Sequence, residues 1–269
     1  MEIMASIIKD HILQLLKEDK RIDGRGLEDF RPLTVETNVI EKAEGSALVK
    51  LGNTQVLVGI KVELGEPFPD LPDMGVITTN VEFVPLASPT FEPGPPDESA
   101  IELARIIDRG IRESQAIDLE KLVIVPGKLV RVIFIDVHVL DHDGNLLDAS
   151  GIGAIAALLS TKIPKVDYNE EIEEVVMLEE YEKLPVKRIP IPVTLAKIGG
   201  NLVVDPNFEE EQVMDGKITI TTDENGYISA VQKSEGGSFK LEEVVYAVDL
   251  AYKKAEEVRK VVFGAIKEE

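Results

Sequence analysis

No part of the chain has fewer ways to fold than residues 46–64, SALVKLGNTQVLVGIKVEL. Two runs of apolar and β-branched residues flank the pair Gly52-Asn53. A short turn between such runs specifies an antiparallel hairpin. GKITITTDENGYISAVQK (216–233) repeats the signal around a DENG turn. LTVETNV (33–39) alternates as a half-buried strand, and VITTNVEFV (76–84), KLVIVP and KLVRVIFIDVHVL read as further strands. RIPIPVTLAKIGGNLVVDP (188–206) opens a second strand-rich block.

Helical periodicity marks four segments. Residues 6–18 place Ile8, Ile12, Leu15 and Leu16 on one face. Residues 97–115 do the same with Leu103, Ile106, Ile107 and Ile111, and a third helix is expected over 150–161. The C-terminal helix carries a stripe from Leu241 through Val248 and Ala255 to Val262. Each half is thus several strands followed by helix, with hairpins outnumbering strand-helix-strand alternation. The class is α+β with mixed or antiparallel sheets. The halves could be a structural duplication, although no strong sequence repeat joins them. Residues 87–97 hold four prolines and read as a loop. Residues 167–182 hold eight acidic residues and no basic one, and read as a connector.

Composition narrows the function. A chain of 269 residues holds one or two domains. The lack of cysteine excludes disulfides, thiolate metal sites and cysteine nucleophiles, and favours a reducing, cytoplasmic setting. No apolar run reaches the ~18 residues of a membrane span, so no membrane partner is expected. The N-terminus mixes charges with apolar residues, as an amphipathic helix does and a signal peptide does not. A net charge of −21 repels nucleic acid at long range. RNA handling would need a local basic stripe or a more basic partner; solubility alone is the plainer reading.

Residues 140–159, LDHDGNLLDASGIGAIAALL, have the frame of an anion site: an extended approach, an Asp-Gly turn, then a helix start. The turn carries Leu146, Leu147 and Asp148 in place of groups that hold phosphate. GIGAIA (151–156) matches a dinucleotide fingerprint but falls inside the expected helix, where small residues serve close packing. Asp136, His138, His142 and Asp143 crowd one turn, as a metal site or simply a polar hairpin end. Carboxylates in DPNFEEEQVMD (205–215) could hold a divalent cation or reflect the acidic composition. Arg105, Arg109 and Arg112 recur at i, i+4, i+7 and share one helix face. They suit an RNA backbone, or pair with Glu102, Glu113 and Asp108 on a solvated face. No nucleophile–base arrangement stands out.

Several segments together resemble the RNase PH family, and within it the non-catalytic RNase PH-like subunits of archaeal exosomes. They are the block 21–65, RIDGRGLEDFRPLTVETNVIEKAEGSALVKLGNTQVLVGIKVELG, the helix ESAIELARIIDRGIRES, the loop FIDVHVLDHDGNLLDASGIGAIAALL and the final helix. The resemblance covers nearly the whole chain. It implies an α+β RNase PH-like fold of two pseudo-duplicate ββαβα halves with mixed sheets and packing helices. The implied bounds are an N-terminal helix and arm (1–30), a first half (31–166), an acidic connector (167–188) and a second half (189–269). Active members shorten RNA from its 3′ end with phosphate as attacking group. This chain departs from them at each working part. The Thr and Arg that would hold phosphate fall on Leu146 and Leu147, and an upstream Arg falls near Ser99. Asp148 is expected to take up free N–H groups at the helix start and to repel phosphate. The two aspartates of active members fall on Glu211 and Lys217. The implied function is therefore a catalytically silent exosome subunit, with no catalytic residue, metal or cofactor of its own. Its implied partners are a catalytic RNase PH-like sister, three such pairs forming a six-membered ring, RNA-binding cap subunits, and single-stranded RNA held by Arg105, Arg109 and Arg112. The alternative is an active phosphorolytic enzyme with a displaced pair, Glu211 and Asp215.

Overall fold

Hairpin pairing organises the first sheet. The computed structural model describes residues 2–169 and 174–267. Strands β1 (Leu33–Thr37), β2 (Gly45–Leu51), β3 (Thr54–Gly65), β4 (Val76–Phe83), β5 (Val123–Val125) and β6 (Leu129–Asp141) form one sheet. Its order is β1-β2-β3-β6-β4, with β5 on β6. The 46–64 hairpin forms as expected: Leu51 faces Thr54, and Gly52 takes a left-handed φ of +59°, which a side chain would strain. Only β4 runs parallel to its neighbour, β6, because helix α2 (Glu98–Glu113) carries the chain across between them.

The second sheet is antiparallel throughout, in the order β10-β9-β11-β12. It comprises β9 (Ile191–Ile198), β10 (Asn201–Val204), β11 (Gly216–Thr222) and β12 (Ile228–Ser234). A four-residue helix, α4 (Phe208–Glu211), stands between β10 and β11. Helix α1 (Glu2–Leu16) seats Ile12 and Leu16 against Ala196, Ile198 and Val203 of this sheet. Helix α5 (Leu241–Lys267) packs on β9, β11 and β1.

Helix α3 (Leu146–Ser160) joins the two halves. It is apolar all round, the pattern of a helix with no solvent face, and packs on β2, β3 and β9 together. Its glycines permit this. A Cβ at Gly151 would lie 2.5 Å from Pro192 Cγ, and one at Gly153 would lie 2.8 Å from Val58 Cγ2. GIGAIA is thus a packing motif between sheets. Ile152, Ile155 and Leu158 are fully buried, each worth roughly 1.5–3 kcal/mol.

Two expectations are corrected. Helix α3 starts at Leu146, earlier than Ser150, because Asn145 turns the chain in the left-handed region (φ 50°) and caps it. The acidic connector is a two-stranded ribbon, β7 (Lys162–Asn169) with β8 (Glu174–Lys183). Alternating Val166, Tyr168, Val175 and Met177 provide a strand pattern that charge counting conceals. Glu170, Glu171 and Glu173 of that run lie outside the described residues. Among the described residues no helix is long and apolar enough to cross a membrane.

Candidate nucleic-acid interface and the cleft beside it

The expected site residues gather in two neighbouring depressions, one on each side of α2. The first is a cleft of about 430 Å³ between the halves. Ser99 comes from the start of α2, Leu146 and Leu147 from the start of α3, and Lys217 from β11. Residues far apart in sequence therefore meet at the start of α3. Chemically the cleft is a poor anion host. Asp97, Glu102, Glu211 and Glu235 line it, against Lys217 as the one lysine or arginine. Lys217 Nζ lies 3.4 Å from Glu211 Oε1, so its charge is already offset. His142 stacks on Phe91 at 5.4 Å and meets the edge of Phe208 at 5.2 Å. Burial pushes its imidazole pKa down, toward the neutral form.

Asp148 does not stand at the mouth of the cleft, contrary to expectation. Asn145 is the cap, its side chain accepting from the Asp148 backbone N–H. The Asp148 carboxylate turns inward and is fully buried. It accepts from Thr194 N–H (2.9 Å), Thr194 Oγ1 (2.7 Å) and Asn145 Nδ2 (2.8 Å). Burial outweighs these bonds and pushes its pKa up to about 7.

Beneath the cleft lies a charged network whose arginines stand out in the sequence only as family marks. Arg31 grips buried Asp205 with two side-chain bonds, Nε–Oδ2 at 2.9 Å and Nη2–Oδ1 at 2.7 Å. Its other donors reach the carbonyls of Asp143 (2.5 Å) and Gly144 (3.2 Å) in the turn before α3. Asn145 Nδ2 donates to Asp205 Oδ1 as well. Arg25 also reaches Asp205, at 3.0 Å, and Arg21 pairs with buried Glu210. The R-x-D-G-R arm and the following RP thus clamp the 143–145 turn of one half to the 205–210 segment of the other. The signal is present as three arginines near an apolar hairpin, but their partners lie about 170 or more residues away.

The second depression, about 470 Å³, lies along α2 and β4 and is lined by Arg105, Arg109, Arg112, Asp108, Thr79 and Asn80 among others. Of the three ion pairs open to this stripe, one forms: Arg112 binds Asp108 at 3.0 Å and also donates to Ile77 O. Glu102 accepts from Ser234 Oγ instead. Arg105 and Arg109 are exposed and have no carboxylate partner among the described residues. They offer two planar, unneutralised guanidinium groups about one helical turn apart.

The other candidates disperse. His138 lies 3.2 Å from Glu82, Asp136 accepts from Asn80, Asp143 accepts from Asn53, and His142 belongs to the aromatic stack. In 205–215, Asp205 and Glu210 hold arginines, Glu211 faces Lys217, and Asp215 accepts from Gly199 N–H. Glu211 and Asp215 thus have separate partners. Among the described residues no three acidic or histidine groups gather as a metal would need.

Comparison with known proteins identifies the family. Residues 29–164 match the 3′ exoribonuclease family, domain 1 (RNase PH), and residues 188–254 match its domain 2. Exosome complex component Rrp42 of Thermococcus onnurineus is 77% identical over 266 residues, covering 99% of this chain and 98% of that protein. Its counterpart in Methanopyrus kandleri is 53% identical over 263 residues, covering 97% and 98%. A chain of the Archaeoglobus fulgidus exosome with RNA bound to the active site superposes with a TM-score of 0.88 at 52% identity, covering 96% of this chain and 98% of that one. A chain of an archaeal exosome core gives 0.85 at 46% identity, covering 97% and 98%. The chain belongs to the RNase PH family of 3′ exoribonucleases.

Proposed function

We propose that this chain is a catalytically silent subunit of a cytoplasmic archaeal exosome. It scaffolds a catalytic RNase PH-like sister in a ring of three such pairs, beneath RNA-binding cap subunits, and helps to hold single-stranded RNA for 3′→5′ degradation. The observation that carries this reading is the composition of the cleft. Phosphorolysis needs cationic or N–H donors to hold inorganic phosphate, and groups that stabilise charge at the reacting centre. Here Ser99, Leu146 and Leu147 occupy the phosphate-site positions, and Lys217, already paired, occupies a carboxylate position. Four carboxylates around them repel the attacking anion.

The groove along α2 has the opposite chemistry. Arg105 and Arg109 can each take a backbone phosphate in a fork of two hydrogen bonds. Contacts to the backbone carry little sequence preference, which suits an enzyme that must process any RNA. Arg112 is committed to Asp108 and Ile77 O, and its share in RNA binding is the smaller.

Three samples test this: the chain alone, the catalytic subunit alone, and the two mixed, each assayed for phosphate-dependent RNA shortening and RNA affinity. The chain alone should be inactive, and mixing should raise both binding and degradation. Arg105→Glu with Arg109→Glu should weaken RNA binding by the mixed complex at least tenfold at low salt, with a shallower salt dependence than wild type. Phosphate-dependent shortening by the purified chain alone, or unchanged RNA affinity in the double variant, would overturn the reading.

A further inference from the structure

β4 is the last strand of its sheet, and half of its outer edge is uncovered. In a parallel pair, the main-chain groups of alternate residues point to the neighbouring strand, and those of the residues between point away. Two bonds to groups outside β6 fix the alternation. Gly75 N–H donates to Leu119 O at 2.9 Å, and Ile77 O accepts from Arg112 Nη2 at 3.0 Å. The pairing of β4 with β6 has no register shift, so Thr79 and Val81 also turn their N–H and C=O groups away from β6. No strand lies on that side, and among the described residues these groups have no hydrogen-bond partner. Val81 is buried and Thr79 half-buried, so the accessible donor–acceptor pair is that of Thr79. Both residues line the depression that holds the arginines. An unpaired main-chain pair at a sheet edge is a binding template.

Helix α2 forms the other wall and runs alongside this edge. Arg112 reaches Ile77 O, Asp108 Oδ1 lies 3.5 Å from Thr79 Oγ1, and Arg105 and Arg109 line the same groove. We infer that β4 is the sugar-reading wall of the groove: with backbone phosphates on Arg105 and Arg109, the main-chain N–H and C=O of Thr79 engage the 2′-hydroxyl of a neighbouring ribose. The inference rests on the RNA reading of the arginines and adds to it a choice of RNA over DNA. A hydroxyl both donates and accepts, as the Thr79 pair requires, and deoxyribose lacks it. Charge assigns the groups to the two walls. Asp108, although held by Arg112, disfavours a phosphate beside Thr79 and has no such effect on a neutral hydroxyl. A peptide strand also fits a free sheet edge, but it leaves both arginines unmatched unless it carries acids at the right steps. Every nucleotide of RNA brings a phosphate and a hydroxyl together. Main-chain groups read the sugar whatever the base, as contacts to the backbone do.

The test uses the full-length chain assembled with its catalytic sister in phosphate-free buffer, so that RNA binds without being shortened. A single-stranded RNA is compared with versions that carry one 2′-deoxy nucleotide, walked along the strand. Wild type should lose at least fivefold in affinity at one position of the walk. RNA should also slow hydrogen exchange of the Thr79 amide at least tenfold, and DNA of the same sequence should not. Thr79→Pro removes the outward N–H without touching a ladder bond to β6, as edge strands tolerate, and should abolish the fivefold preference. If that variant does not fold, exchange at Thr79 in wild type decides alone. A walk with no sensitive position, a preference that survives Thr79→Pro, or Thr79 exchange unchanged by RNA would overturn the inference. The RNA reading still stands in those cases, provided that Arg105→Glu with Arg109→Glu weakens RNA binding; if the double variant binds as wild type does, that reading falls too. Protection of the Thr79 amide on assembly, before RNA is added, would overturn the inference in favour of a partner strand on the edge.

Discussion

Asp148 shows how far one side chain can depart from the role its neighbours in sequence suggest. At the third position of α3 it points to β9, and its carboxyl has a pKa near 7 because burial raises it. The sign of the stability effect follows. Between the ordinary value of 3.8 and about 7, the unfolded chain gives up this proton while the folded chain keeps it, so stability falls as pH rises through that window and is level above it. The difference amounts to about 4 kcal/mol between pH 4 and pH 8. Asparagine can keep the bonds from Thr194 N–H and Asn145 through its oxygen and donate to Thr194 Oγ1 through its nitrogen. Asp148→Asn should therefore match wild type in urea midpoint at pH 4 and exceed it at pH 8. Equal midpoints at both pH values would show that the carboxylate is ionised and well satisfied.

Among the elements, the N-terminal arm and the 143–145 turn act as one joint. Gly144 has a φ of +86°, and a Cβ there would sit 2.5 Å from the Asn207 carbonyl carbon, so the turn touches the second half directly. Arg31 also holds this joint, with bonds to Asp205, Asp143 O and Gly144 O. Removing one member of a buried charge pair costs about 3–5 kcal/mol, since the remaining charge and carbonyls lose their partner. Arg31→Met should lower the urea midpoint by a corresponding amount with an unchanged slope. A loss below about 1 kcal/mol would mean that Arg25 and Asn145 satisfy Asp205 without it.

For the molecule as a whole, α3 packed against both sheets and the arginine joint beneath it bind the two matched domains into one folding unit. Calorimetry should give a single transition whose van't Hoff and calorimetric enthalpies agree, although two domain patterns match the chain. Two resolved transitions would mean that the interface contributes little to either half. The same packing forms the cleft between the halves, with walls from α2 and α3 on one side and β11 and β12 on the other.

Local patterns in the chain determine the hairpins, α2 and the α+β class, because turn residues and apolar periodicity act over a few positions. Ser99, Leu146, Leu147 and Lys217 stand out as expectations only when the chain is set beside a family pattern, and the fold brings those four residues into one cleft. Other features depend on contacts between distant segments. The inward turn of Asp148, the freedom of Arg105 and Arg109, and the grip of Arg31 on Asp205 each depend on which groups lie within hydrogen-bond reach. The ribbon in the acidic segment is hidden because eight carboxylates obscure an alternating pattern that only the pairing of β7 with β8 completes. Periodicity is a property of one segment, whereas burial and charge pairing are properties of two, and only folding selects the second.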